Sequence, residues 1–226
     1  MLRRKIYDRL MEWKSQKDHN CLLVKGQRQV GKTYIIKKFA EDNYEHLVYM
    51  DLSQQKSLHQ AFQGDLDVDT IVKGLKLFLD QKDFVPHKTL IFIDEIQACP
   101  RARESLKSFS MDGRFDVIGS GSLLDVVDRS KAEALVPVGY EEPITMYGLD
   151  FEEFLWARGT PEDIIEEIRR YIRTRKPLSG AYLEAMNEAF RDYILVGGMP
   201  KAVSRYLETN DYTAAGAILD QIVESR

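Results

Sequence analysis

Cysteine is scarce in this chain. Only Cys21 and Cys99 occur, with no CxxC spacing, and His19, His46, His59 and His87 stand apart from one another and from both cysteines. That pattern excludes a zinc site and a disulfide framework, and it suits a reducing cytoplasm. Long apolar runs are also missing. Stretches such as residues 90–93 fall far short of the ~20 residues that a membrane-spanning helix needs. The basic N-terminus, Met1-Leu2-Arg3-Arg4-Lys5, runs into an amphipathic stretch and lacks the apolar core of a signal peptide. Nor is there an excess of positive charge. The 32 Lys and Arg are outnumbered by 36 Asp and Glu, a formal net charge of −4, so the overall balance gives no support to a dedicated nucleic-acid binder. Repeats and low-complexity segments are absent too. What remains is a 226-residue chain, 44% hydrophobic and 30% charged, with enough apolar residues to bury a core. The expectation is a soluble cytoplasmic protein with no membrane partner, built as one large α/β domain or two small ones.

Periodicity divides the chain in two. Leu2, Ile6, Leu10 and Trp13 recur at helical spacing, and residues 21–24 form a short apolar strand ahead of a glycine-containing loop. From Thr33 the apolar residues Ile35, Ile36, Phe39 and Ala40 return to the helical period. Residues 47–50, 89–93, 115–119 and 144–147 read as further strands, with helices opening near Asp69 and spanning 101–109. Five short apolar strands separated by helices imply a parallel sheet covered on both faces. Beyond residue 150 the strand signals stop, and 151–157, 161–174, 182–196, 201–207 and 212–223 all read as helices. The expected division is an α/β core over 1–150 and a smaller all-helical domain over 151–226. The last helix has no capping signal before Arg226, which leads to the expectation that a C-terminal portion is missing.

The chemistry concentrates at two places. Gly26-Gln27-Arg28-Gln29-Val30-Gly31-Lys32-Thr33 matches GxxxxGK[ST] and lies between a strand and a helix, the context this phosphate loop requires. Its glycines let the backbone curl so that successive N–H groups point at phosphate oxygens, and the following helix adds its positive end. Lys32 is expected to bridge the β- and γ-phosphates and the Thr33 hydroxyl to hold Mg²⁺. The bland alternative is a glycine-rich turn with a solvated lysine.

The second place is Asp94-Glu95, at the end of an apolar strand, the edge where ligands bind in open α/β sheets. Asp94 there would serve the metal, and Glu95 would polarise an attacking water as general base. Alone, such a pair reads equally as a helix cap and a first-turn acid. No Asn-Lys-x-Asp base-reading motif of small GTPases occurs, and a kinase needs no water-activating glutamate beside its metal acid. ATP hydrolysis is therefore the expected reaction, with ATP/ADP and Mg²⁺ as cofactors. A dense charge run from Glu162 to Arg170 reads as a solvated helix face.

The combination resembles the AAA+ class of ATPases and, more narrowly, the prokaryotic "AAA domain plus DUF4143" family, related to archaeal ATPases and STAND regulators. Asp94-Glu95-Ile96-Gln97 is similar to the family's second motif. Ile118-Gly119-Ser120-Gly121-Ser122 is similar to its sensor region, where the resemblance implies a small polar residue facing the γ-phosphate and the attacking water: Ser120 first, Ser122 second. Tyr147 to Leu155 resembles the family's "PLSFxEF" boundary with Gly148 in place of proline, and Gly197-Gly198-Met199-Pro200 resembles the GxP turn of a helical lid, which implies Pro200 near the adenine. The resemblance implies a P-loop fold with a five-stranded parallel sheet and a helical lid. Val138-Gly139-Tyr140-Glu141 lacks the arginine that the family often places before the fifth strand. No arginine sits in a recognisable finger motif; Arg129, then Arg101 and Arg103, are the least implausible donors, and all three read more readily as solvated surface arginines. Slow turnover by this chain is therefore expected, with the finger from a homo-oligomer or protein partner and any nucleic-acid contact from a C-terminal region absent here. A nucleotide-gated switch of negligible turnover, acting on a protein or DNA partner, stays open as the alternative.

Overall fold

The computed structural model describes residues 2–79, 83–122 and 139–224. Its chain forms two compact units, one of residues 8–146 and one of residues 1–7 with 147–226. The first contains a five-stranded, all-parallel sheet in the order β2-β3-β4-β1-β5. Its strands are β1 (Cys21–Gly26), β2 (His46–Asp51), β3 (Thr89–Asp94), β4 (Asp116–Ser122) and β5 (Glu141–Met146).

Strand position explains strand composition. β3 lies inside the sheet, with both faces covered, and all six of its residues are buried. The edge strands β2 and β5 alternate or are half-exposed. β5 pairs with β1 alone, so Pro143 removes no interior ladder bond and the polar start Glu141-Glu142 is tolerated. That is why β5 begins earlier than its apolar residues indicate.

Helix α1 (Lys5–Ser15) precedes the sheet, and the division between the units falls within it. Helix α2 (Lys32–Asn43) leaves the phosphate-loop motif and rests on β2 and β3. On one sheet face, Leu23, Val48, Met50, Ile91, Ile93 and Val117 pack with a 3₁₀ helix (Lys56–Phe62), α3 (Val68–Leu79), α4 (Pro100–Glu104) and α5 (Leu106–Asp112). Their strand neighbours Leu22, Val24, Phe92 and Ile118 point the other way by the two-residue period and are equally buried. The single helix expected over 101–109 is two, divided at Ser105, whose buried hydroxyl turns back to the Ala102 carbonyl at 2.7 Å. The 3₁₀ helix was not legible in the sequence.

The second unit is helical: α6 (Phe151–Ala157), α7 (Glu162–Thr174), α8 (Gly180–Val196), α9 (Pro200–Thr209) and α10 (Tyr212–Glu224). A capping box opens α6, in which Asp150 accepts from the Glu153 amide and Glu153 from the Asp150 amide. The buried Glu153 carboxylate also accepts from the Lys5 amide at 2.7 Å, and the Arg4 guanidinium donates to the Tyr147 carbonyl at 2.6 Å, which fastens residues 2–7 to this unit. Phe154, Val196, Val203, Tyr206 and Ala215 form its core. The charge run forms an exposed face of α7, where Glu166 pairs with both Arg169 and Arg173. None of the described helices is long and apolar enough to cross a membrane.

The second unit also explains the glycine that stands where the resembled boundary has proline. A Cβ at Gly148 would lie 2.8 Å from the Gly198 carbonyl oxygen, and one at Gly198 would lie 2.4 Å from that of Leu149. Between them the Leu149 amide donates to Gly198 O at 2.6 Å. The boundary segment and the Gly197-to-Pro200 turn, far apart in sequence, are backbone to backbone.

Candidate functional site

The phosphate-loop motif leaves the C-terminal end of β1. Its turn is made by two residues of positive φ, Gln29 at 62° and Gly31 at 97°, while Val30 between them is fully buried and anchors the loop. Gly31 also caps α2 without any side-chain hydrogen bond, so the first amides of the helix are left for an anion. The first glycine has a steric reason. A Cβ on Gly26 would lie 2.4 Å from the Met146 carbonyl oxygen of β5.

Lys32 is only 6% exposed, and its ammonium donates to two carbonyls of its own loop, Gly26 O at 2.9 Å and Gln27 O at 2.8 Å. Burial holds its pKa below the usual lysine range, opposed by the charges of Glu95 and Asp94 and reinforced by Arg28. Arg28 itself is exposed at the loop's tip, as are Gln27 and Gln29.

The strand order brings the acid to the loop. β4 lies between β1 and β3, with Ser120 beside Val24 and Gly119 beside Ile93. Asp94, 4% exposed, receives four donors. Thr33 Oγ1 of α2 donates to Oδ2 at 2.6 Å, Tyr49 Oη of β2 reaches the same oxygen at 3.4 Å, and the hydroxyl of Ser120 on β4 donates to Oδ1, with the Glu95 amide at 3.1 Å. The Thr33 contact joins residues 61 apart. Glu95 follows in the left-handed region, φ 51°, and its Oε2 accepts from Gln97 Nε2 at 2.5 Å.

β4 continues through Ser122, so both serines are on the strand. Ser120 is wholly buried and its hydroxyl is given to Asp94. Ser122 stands at the strand end, in register with Gly26. Pro200 opens α9 as its first residue, in the helical unit.

Two of the three arginines named as finger donors are engaged elsewhere. Arg101 donates to the carbonyls of Phe62 and Gly64. Arg103 grips both oxygens of Glu141, at 3.1 and 2.6 Å, and Glu141 is in register with Cys21 at the opposite end of β1. Five strand steps, ~17 Å, separate that end from Gly26. Arg129 lies outside the described residues.

Tyr49 and Gln97 were missed from sequence. Burial, with Asp94 and Asp51 nearby, pushes the Tyr49 hydroxyl up to about 12, and the Lys37 ammonium lies 3.4 Å from the centre of its ring. Nothing in the sequence places β2 beside β3, which is what aims Tyr49 at Asp94. Gln97 lies in the stretch similar to the second motif, and its spacing two residues after Glu95 is the available signal.

The donor set fits a magnesium ion bound with a nucleotide. Mg²⁺ prefers one or two protein oxygens and completes its octahedron with phosphate and water. Thr33 Oγ1 and Asp94 Oδ2, already 2.6 Å apart, offer that pair. Among the described residues no cluster of three or more His, Cys, Asp or Glu gathers to hold a metal without such help.

Comparison with known proteins agrees with the loop and strand. A family model described as an AAA domain matches residues 18–155, more than half of the chain. No curated protein matches it in sequence. Among solved structures, the chain is similar to C. elegans PCH-2, at 14% identity and TM-score 0.46 over 97% of this chain and 65% of that one. It is also similar to AMPPCP-bound DnaA from Aquifex aeolicus, at 13% and 0.46 over 90% and 58%. The Aeropyrum pernix ORC1 protein, solved in complex with DNA, gives 11% and 0.40 over 85% and 65%. The chain thus spans under two thirds of the length of each of these distant structures.

Proposed function

The chain belongs to the AAA domain family, and on that premise we propose that it binds ATP with Mg²⁺ and hydrolyses it to ADP and phosphate. The observation that carries this reading is the Thr33–Asp94 hydrogen bond, which joins the phosphate loop to the acid of β3. In the proposed complex, residues 26–33 wrap the phosphates with backbone amides. Lys32 exchanges the carbonyls of Gly26 and Gln27 for phosphate oxygens, a trade of neutral acceptors for charged ones. Thr33 and Asp94 would hold the ion, which would supply positive charge against the phosphates. Ser120 and Tyr49 act through Asp94 by orienting its two oxygens. Glu95 takes a proton from water as the water oxygen bonds to the γ-phosphorus and the bond to the ADP oxygen breaks. Pro200 is assigned to the adenine and the helical unit to a lid, and Ser122 is the second choice, after Ser120, for the polar residue that faces the γ-phosphate.

A second reading, a nucleotide-gated switch with negligible turnover, draws on the engagement of Arg101 and Arg103 away from the loop. An arginine that neutralises the transition state is worth ~10³–10⁵ in rate. Hydrolysis by this chain should therefore be slow and should rise when a homo-oligomer or protein partner supplies that charge. The relatives that the motifs resemble couple such a module to a DUF4143 region, and the same coupling is proposed here as the output, with any nucleic-acid contact placed there. A cytoplasmic setting belongs to the same proposal, supported by two buried, free thiols. Phosphate release per chain across a dilution series, with Lys32→Ala as control, is the test. Release that is slow when dilute and faster when concentrated supports the ATPase; ATP binding with no release above the control favours the switch. No ATP binding at all would sink both.

A further inference from the structure

Asp94 and Glu95 are adjacent, yet they are held in opposite ways. Four donors fix Asp94, whereas the Glu95 carboxylate is oriented by Gln97, whose Nε2 lies 2.5 Å from Oε2. Only the N–H end of an amide can face a carboxylate, which fixes how the Gln97 amide is turned. Its oxygen, Oε1, is thereby buried with no hydrogen-bond partner among the described residues. Burying a lone carbonyl oxygen is unfavourable, so a glutamine retained for the fold would have both ends satisfied. The hydrogen bond that its side chain does make goes to Glu95.

The support beneath this contact is tight. Gln97 sits in the 3₁₀ turn Ile96–Ala98, and Ile96 is fully buried. A Cβ on Gly119 would lie 2.9 Å from Ile96 Cδ1, so the turn is pressed onto β4 one residue before Ser120. Glu95, at φ 51°, bends the chain from β3 into that turn, a left-handed conformation that a glutamate rarely adopts. A side chain hung from such a wedge has its reach set by packing.

We infer that Gln97 is a positioning residue for the hydrolytic step, fixing the Glu95 carboxylate toward the attacking water at a cost to the stability of the fold. This rests on the ATPase reading above and deepens it. The inference makes stability and turnover move in opposite directions when the amide is removed. Gln97→Met keeps the length and deletes both the donor and the unpaired oxygen. Its thermal midpoint should equal or exceed that of the wild type, and its ATP Kd and KM should stay within about twofold, while kcat falls roughly 10–100-fold, as for a small misplacement of a reacting group. In a Glu95→Gln background the same change should cost nothing further, because the group being positioned is gone. A lowered Gln97→Met midpoint overturns the stability cost. Gln97→Glu, which sets a second carboxylate against Glu95, is the companion variant for the positioning role, and its kcat should fall at least as far with ATP Kd unchanged. Unchanged kcat in either variant overturns the inference. So does a kcat loss that persists undiminished in the Glu95→Gln background. Wild-type release no faster than that of Glu95→Gln would instead refute hydrolysis itself, and this inference with it.

Discussion

Replacing Gly26 by alanine tests whether the first loop glycine is present for steric rather than conformational reasons. The added Cβ would stand 2.4 Å from the Met146 carbonyl oxygen, 3.3 Å from its carbonyl carbon and 3.4 Å from its Cβ. Non-bonded heavy atoms rest at about 3.5 Å, so something must yield by about 1 Å. The obstacle is backbone, which cannot rotate away as a side chain tip would. The part that yields is β5, because as an edge strand it is held in the sheet by β1 alone. Overpacking of this kind costs about 1–3 kcal/mol. For a chain of this size that lowers the melting point of the α/β unit by about 2–12 °C. The clash presses back on Gly26 as well, and its carbonyl is one of the two that hold Lys32, so ATP affinity should fall by about tenfold, equivalent to 1.4 kcal/mol. Calorimetric melting and ATP titration of Gly26→Ala measure both quantities. Gly216→Ala is the matched control: it lies within α10, nothing stands within 4 Å of its added Cβ, and the change should stabilise that helix by about 0.5–1 kcal/mol. A Gly26→Ala chain that melts no lower than the wild type and binds ATP as tightly would refute the steric argument.

Lys32→Ala should weaken ATP binding by at least about 100-fold, since it removes the buried cation that faces the phosphates; unchanged affinity by isothermal calorimetry would mean that the loop is no phosphate cradle. Glu95→Gln should keep ATP affinity and lose ~10²–10⁴-fold in hydrolysis. Asp94→Asn should instead weaken Mg²⁺-dependent binding, because it removes the charge and turns an amide donor toward the hydroxyl of either Thr33 or Ser120; equal binding losses from the two changes would mean that the roles are wrongly assigned. Burial raises the pKa of both Cys21 and Cys99, so the native chain should react with a thiol reagent far more slowly than the denatured one. A rapidly labelled native thiol would contradict the packing described for β1 or for the start of α4.

The parts of the fold that were legible from sequence are those written in consecutive residues. β1 ends in the loop, the loop opens α2, and β3 ends in two carboxylates, so each unit of chemistry sits on one continuous stretch. The helical unit was legible for a similar reason, with breaks at glycine and proline separating amphipathic repeats. Boundaries failed where a local signal was overruled by position in the sheet. Glu141 and Glu142 look unlike a strand, yet an edge strand can expose them, and Ser120 to Ser122 look like a turn, yet β4 has partners on both sides that hold them extended. Ser105 divided a helix that periodicity drew as one.

The site itself was legible only as far as sequence adjacency reaches. Lys32, Thr33, Asp94 and Glu95 announce themselves by type and spacing, but what surrounds Asp94 is decided by strand order. Ser120 meets Asp94 because β4 is inserted between β1 and β3, and Tyr49 meets it because β2 is β3's other neighbour. Neither adjacency is encoded in a local pattern, since other strand orders are compatible with the same sequence of strands and helices. The consequence is physical as well as predictive. A carboxylate buried to 4% exposure needs donors in place of the water it has lost, and here they come from two strands, a helix and the amide just beyond β3. Asp94 therefore ties its own readiness for a metal to the integrity of the whole sheet, whereas Glu95, held by a neighbour two residues away, is free to be set by one local contact.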